Sequence, residues 1–122
     1  ECRMLHGCET GGAKITKGYR LKARHVIHTV GPVWNGGGHR ESELLGSCYA
    51  NSLKLAAEHD LKSVAFPCIS TGIYRFPPDQ AAQIAVTSVR EFLNEPSSVQ
   101  AVIFCCFAEA DHTRYQALLA TP

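Results

Sequence analysis

The sequence predicts an α/β fold, a mixed β-sheet sandwiched between helices in three layers. Three observations predict it. Residues 63–69 and 99–107 are nearly continuous apolar runs, the pattern of parallel strands covered on both faces. Each run is followed by a stretch with apolar residues at helical spacing, so the second half reads strand–helix–strand–helix. A crossover of that length between parallel strands is right-handed and packs its helix on the sheet. The first half adds two shorter strand-like segments close together in sequence, an antiparallel element.

The elements follow in order. Residues 1–6 read as the tail of a helix already under way, stopped by Gly7, since a glycine commonly follows a helix end. This opening predicts that more polypeptide precedes Glu1. Residues 8–12 are turn-like and residues 13–16 form a short strand. Lys17, Gly18 and Tyr19 break it, and residues 19–24 lead into a stronger strand over residues 25–30. Gly31 and Pro32 end that strand, because proline cannot donate to a ladder. Residues 35–38, Asn-Gly-Gly-Gly, are a flexible loop. A helix is predicted over residues 39–59, with Leu45, Cys48, Tyr49, Ser52, Leu53 and Ala56 on its buried face. The strand over residues 63–69 follows, and Pro67 counts against its being central along its whole length. After a loop over residues 70–76, Pro77 and Pro78 open the next helix, where proline is tolerated in the first turn. Its inward face is Ala81, Ile84, Ala85, Ser88, Val89 and Phe92, and it ends near Glu95 and Pro96. The strand over residues 99–107 precedes a last helix over residues 109–119, with Tyr115, Leu118 and Leu119 facing inward.

Composition narrows the function. A chain of 122 residues is one domain, and 45% apolar with 19% charged residues is enough to bury a core. The net charge is +1 with no dense Lys/Arg run, so the basic stripe of a nucleic-acid binder is absent and nucleic acid is not an expected partner. No apolar run reaches the length of a membrane span, and no membrane partner is expected. The six cysteines are Cys2, Cys8, Cys48, Cys68, Cys105 and Cys106. Cys68, Cys105 and Cys106 sit in apolar runs, where free cysteine behaves as a small buried hydrophobe. Neighbours on a strand point to opposite faces, so Cys105 and Cys106 are poorly placed to pair. Reduced thiols and a cytoplasmic location follow. No C-x-x-C pair occurs, so no zinc or other metal site is expected.

Ligands of open α/β sheets bind beyond the carboxyl ends of the strands. That rule selects Ser70, Thr71, Gly72, Ile73 and Tyr74, which leave a buried strand and approach a helix. Their backbone N–H groups can converge on one anion, and the helix N-terminus favours negative charge. Gly72 permits close approach of a phosphate. Tyr74 can cover the bound group and donate a hydrogen bond. A pyrophosphate is the natural ligand of such a loop; the alternative is a plain turn with a buried tyrosine. Phe107, at the end of the last strand, lies on the same rim and can stack on a base or simply cap the core. His28, mid-strand, reads as a hydrogen-bonded structural residue. Gly36, Gly37 and Gly38 lack the Lys-Ser/Thr of a P-loop. His39, His59 and His112 have no partners at ligand spacing, and no Ser–His–Asp arrangement can be argued from order.

Together, A-K-I-T-K-G-Y (residues 13–19), H-T-V-G-P (28–32) and S-T-G-I-Y (70–74), with Phe76 and Pro77 following, resemble the macro domain family and its MacroD-type branch. The late strand through Phe104 and Phe107 and the Y-Q-A-L-L of residues 115–119 match as well. The resemblance covers the chain in order, and the three strings in that order are more specific than any one alone. It implies a six-stranded mixed sheet between helices that binds ADP-ribose at the strand ends. Residues 70–74 would wrap the diphosphate and distal ribose, and Phe107 would lie beside the adenosine. The MacroD-type branch hydrolyses ADP-ribosyl esters of protein Asp and Glu, deacetylates O-acetyl-ADP-ribose, and generally needs no metal or other cofactor. Its partners would be ADP-ribose, O-acetyl-ADP-ribose and mono-ADP-ribosylated proteins. A water held by the substrate pyrophosphate and an Asp of the first catalytic loop would carry the reaction. By this resemblance the N-terminal portion of the domain is missing, and with it the adenine-reading Asp, an Asn-Ala-Ala-Asn strand end and the catalytic loop. The catalytic residues are therefore not assigned within this chain. A non-catalytic ADP-ribose reader, or a fragment inactive on its own, is the alternative. Arg75 stands where many members have glycine, adding a cation near the diphosphate or pointing to solvent.

Overall fold

The computed structural model describes residues 10–17, 25–38, 40–69, 75–105 and 109–120. Strand β1 (Ala13–Lys17) pairs antiparallel with β2 (His25–Thr29), Ala13 opposite Thr29 and Lys17 opposite His25. Ile15 lies directly across from Ile27, the kind of β-branched pair that stabilises a ladder. The Thr29 hydroxyl donates to the Gly12 carbonyl at 2.6 Å, and the Gly11 N–H donates to the Val30 carbonyl at 2.8 Å. Gly11 is required in that turn: its φ is +82°, and a Cβ would meet the Leu44 side chain at 3.2 Å.

Helix α1 (Glu41–Glu58) carries the chain to β3 (Ser63–Phe66), and helix α2 (Pro78–Leu93) carries it to β4 (Ala101–Phe104). β3 and β4 are parallel, Ser63 opposite Ala101 and Phe66 opposite Phe104. Strand pairing is thus mixed, as predicted, and the described strands form two two-stranded sheets. Helix α3 (Glu109–Ala120) closes the order.

The six residues predicted for the inner face of α1 are all buried, because their spacing keeps them on one stripe. α2 differs: Ala82 and Val86 are buried beside Ala81, Ala85 and Val89, whereas Ile84, Ser88 and Phe92 are half-buried. The cause is close approach of α1. A Cβ on Gly46 would stand 3.5 Å from the Ser88 hydroxyl, so small residues on both helices bring the backbones together. α3 is anchored by Tyr115, 5% exposed, and half-buried Leu118. Leu119, predicted inward, is 50% exposed, because one further residue rotates it by about 100° toward solvent. The Arg90 guanidinium donates to the Leu118 and Leu119 carbonyls at 3.1 and 3.2 Å, satisfying acceptors the last turn leaves open.

The two apolar runs also differ from expectation. Each gives only four strand residues, and neither strand is covered on both faces. Ser63 and Ala65 of β3, and Ala101 and Ile103 of β4, are exposed. Side chains alternate across a strand, and no described element packs on the second face. Pro67 lies just past the end of β3, which settles its conflict with a central strand. Cys105, predicted buried, is exposed beyond β4. Cys48, Cys68 and Cys105 are free thiols; Cys2, Cys8 and Cys106 lie outside the described residues.

Candidate ligand-binding site

Two segments leave the carboxyl ends of β2 and β3, and aromatic packing brings them together. After β2, Gly31 and Pro32 are buried, and the Cys48 thiol of α1 donates to the Val30 carbonyl at 3.3 Å. The Glu41 carboxylate, 1% exposed, then accepts the backbone N–H groups of Asn35 at 2.7 Å and Gly37 at 2.9 Å through one oxygen. The glycine-rich stretch expected as a flexible loop is therefore tied to the first turn of α1. Gly37 has a φ of +89°, and a Cβ there would meet the Trp34 ring at 3.1 Å. Trp34 in turn packs on Phe76, with ring centroids 4.9 Å apart. Phe76 is 1% exposed and follows directly on the segment 70–75, where the sequence predicts the anion loop.

The entry to that loop is held from below. Tyr49 is buried on α1, and its phenol has the Ile69 backbone and the Tyr115 hydroxyl as hydrogen-bond partners. Burial, reinforced by Tyr115, pushes the phenol well above its usual range, so it stays protonated. Its ring packs at a tilt on Phe66, the last residue of β3, with centroids 4.9 Å apart. Tyr115 packs at 4.9 Å on Phe104, the last residue of β4. Two tyrosines thus fix the ends of both parallel strands, and Tyr49 also reaches Ile69, the residue before the predicted anion loop.

Among the predicted site residues, Ser70, Thr71, Gly72, Ile73, Tyr74 and Phe107 lie outside the described residues. Arg75 is described: it is exposed and has a left-handed φ of 62°. His28 sits mid-strand in β2. His59 and His112 are exposed, and His39 lies outside the described residues. Among the described residues no three His, Cys, Asp or Glu side chains are arranged to hold a metal, and no helix is long and apolar enough to cross a membrane. Sequence reasoning missed Glu41, Trp34 and Tyr49 as residues that shape the site. Tyr49 carried a signal as a polar-tipped residue on a buried face; the loop contacts of Glu41 and Trp34 carried none.

Parallel strand ends flanked by helices, with the chain after β2 held against Phe76, fit an α/β module that binds ligands at its strand ends. The macro domain family model matches residues 1–85. The macro domain-containing protein CT2219 of Chlorobaculum tepidum is 63% identical over 98% of this chain and 69% of its own length. The human ADP-ribose glycohydrolase MACROD2 is 52% identical over 95% of this chain and 28% of its own length. The macrodomain of Oceanobacillus iheyensis with ADP matches with a TM-score of 0.89 at 40% identity, covering 98% of this chain and 63% of that one. The chain belongs to the macro domain family, and its fold class is the α/β/α class predicted for it. It spans roughly two thirds of these prokaryotic relatives.

Proposed function

We propose that the protein binds ADP-ribose and that the longer protein containing it hydrolyses ADP-ribosyl linkages. Ser70, Thr71, Gly72, Ile73 and Tyr74 take the diphosphate and distal ribose, Arg75 adds a cation beside them, and Phe107 lies next to the adenosine. The substrates are ADP-ribosyl esters of protein Asp and Glu and O-acetyl-ADP-ribose, turned over in the cytoplasm without a metal or other cofactor. The observation that carries this reading is the fixed frame around residues 70–75. Tyr49 holds Ile69 on one side, and Trp34 packs on Phe76 on the other. A loop so framed loses less conformational freedom when its amides close on an anion. Identity with a named ADP-ribose glycohydrolase and likeness to a macrodomain with ADP support the ligand class.

Calorimetric titration with ADP-ribose tests the binding step. Gly72→Glu places a carboxylate against the diphosphate and blocks backbone approach, so binding should fall below detection while the thermal transition persists. Undiminished binding by that variant would remove residues 70–74 from the site. Release of free ADP-ribose from an ester-linked protein substrate by the longer protein separates a hydrolase from a reader.

A further inference from the structure

We propose that the solvent-side groove between α1 and α2 docks a basic segment of a partner protein, in which lysine or arginine alternates with apolar side chains. Two adjoining hollows of about 530 and 440 Å³ form the groove, and Phe92 and Glu95 line both. Its walls are Gly46, Ser47, Ala50 and Ala57 of α1 and Ser88 and Phe92 of α2. The small residues of α1 recur at helical spacing, so they share one stripe beside its buried face. The strands lie toward the other flank of α1, where Tyr49 packs on Phe66. The groove therefore opens on the outside of the helix layer, away from the faces and edges of the sheet. From Glu43 to Glu58 it spans roughly 22 Å at 1.5 Å per residue, the length of about seven extended residues.

Charge selects the occupant. Glu58 ends α1, Glu91 lies in the last turn of α2, and Glu95 follows that helix; all three are exposed and line the groove. Free carbonyls already make a helix C-terminus negative, so carboxylates there are unfavourable in the chain alone. None of the three has an ion-pair partner among the described residues. Glu43, at the other end of the groove, is paired with Arg40. Arg90, the basic residue in the last turn of α2, is turned to the Leu118 and Leu119 carbonyls. Lys54 is the one cation lining the groove among the described residues. Two helix ends and three carboxylates thus converge on a groove whose centre is a half-buried aromatic ring.

Lysine or arginine fits both features. Its alkyl stem covers Phe92 while its charged head meets the carboxylates. Toward Gly46 and Ala50 the walls carry small side chains, which leaves room for the apolar residues that alternate with the cations. An anion is repelled there, so the groove does not serve ADP-ribose. That ligand is assigned to the carboxyl ends of the strands, whereas the acidic end of the groove lies at the C-termini of both helices. The proposal does not depend on the ADP-ribose reading.

Fluorescence anisotropy of a labelled octapeptide alternating lysine and leucine, titrated with the longer protein that contains this chain, tests the proposal. Saturable one-to-one binding is expected, weakening as salt rises. Peptides alternating lysine with serine, or glutamate with leucine, should bind about tenfold more weakly, since one loses apolar burial and the other the charge match. Glu91→Gln together with Glu95→Gln should cost about five- to tenfold in affinity, the worth of two surface ion pairs. The melting temperature of that variant should hold or rise, because carboxylates leave a helix C-terminus, and its ADP-ribose binding should be unchanged. Ala50→Arg, at an exposed helix position, should abolish peptide binding by filling the groove with a like charge. No binding, equal binding of the lysine–serine peptide, or binding that both variants leave intact overturns the proposal. So does self-association of the protein that Ala50→Arg abolishes, which would make a second copy the occupant.

Discussion

The α1–α2 interface and the β3–β4 pair face the same demand for apolar burial and meet it differently. Leu45, Leu53, Ala56 and Ala85 of the two packed helices are fully buried in the core. In the strand pair only alternate residues are covered, and Ile103 is 55% exposed. The difference shows that covering elements, rather than the apolarity of a residue, decide what a side chain contributes. Leu53→Ala should lower stability by about 2–5 kcal/mol, the range for emptying a packed site. Ile103→Ala should change it by no more than about 0.5 kcal/mol. Urea midpoints of the two variants check the contrast, and equal losses would break it.

The same contrast explains what could be read in advance. The inner face of α1 was legible because a long amphipathic helix has one consistent periodicity. The strands over residues 13–16 and 25–30 were legible because short β-branched stretches there are bounded by the breakers Gly18, Gly31 and Pro32. The coverage of β3 and β4 was not legible: an apolar run shows that a strand can be buried, and only the neighbouring elements show whether it is. Glu41 was hidden for a related reason. A carboxylate in a first turn is ordinarily a solvated partner of the helix dipole, whereas here the chain leaving β2 folds back and gives it two backbone donors. The meeting of Trp34 and Phe76 joins segments far apart in sequence, and no local pattern encodes it.

Glu41→Ala sharpens the comparison on the loop side. Removing the carboxylate leaves the Asn35 and Gly37 amides without their acceptor, at a cost of about 1–3 kcal/mol. The melting temperature should fall, and protease cleavage within residues 33–38 should accelerate. Cleavage at the wild-type rate would show that Trp34 packing alone holds the loop.

Tyr49→Phe probes where the helical core meets the strand ends. The ring and its contact with Phe66 remain, but the Ile69 and Tyr115 partners lose the hydroxyl, for about 1–2 kcal/mol. ADP-ribose affinity should fall as well, because Ile69 leads directly into residues 70–74. The phenol also has a pH signature. Its folded pKa is raised by burial, so its contribution is fully present below the ordinary phenol value of about 10. As pH rises past that value the unfolded chain releases the proton while the folded chain keeps it, and stability declines. Wild type should therefore lose stability between about pH 10 and 11 more steeply than Tyr49→Phe. Parallel curves would mean that the hydroxyl is not held as the geometry requires.

The smallest expected effect is at Arg75, and it separates strain from charge. Its φ of 62° costs a side-chain-bearing residue about 1–2 kcal/mol, whereas glycine adopts that conformation freely. Glycine also gives the unfolded chain extra freedom, which returns about 0.5–1 kcal/mol. Arg75→Gly should thus stabilise the protein by about 0.5 kcal/mol, a rise of a few degrees in melting temperature. The guanidinium is exposed at the end of the proposed diphosphate loop, so the same substitution should weaken ADP-ribose binding and flatten its dependence on salt. Greater stability with lower affinity would show a strained residue retained for its charge. Greater stability with unchanged affinity would place the guanidinium in solvent and confine the ligand to residues 70–74.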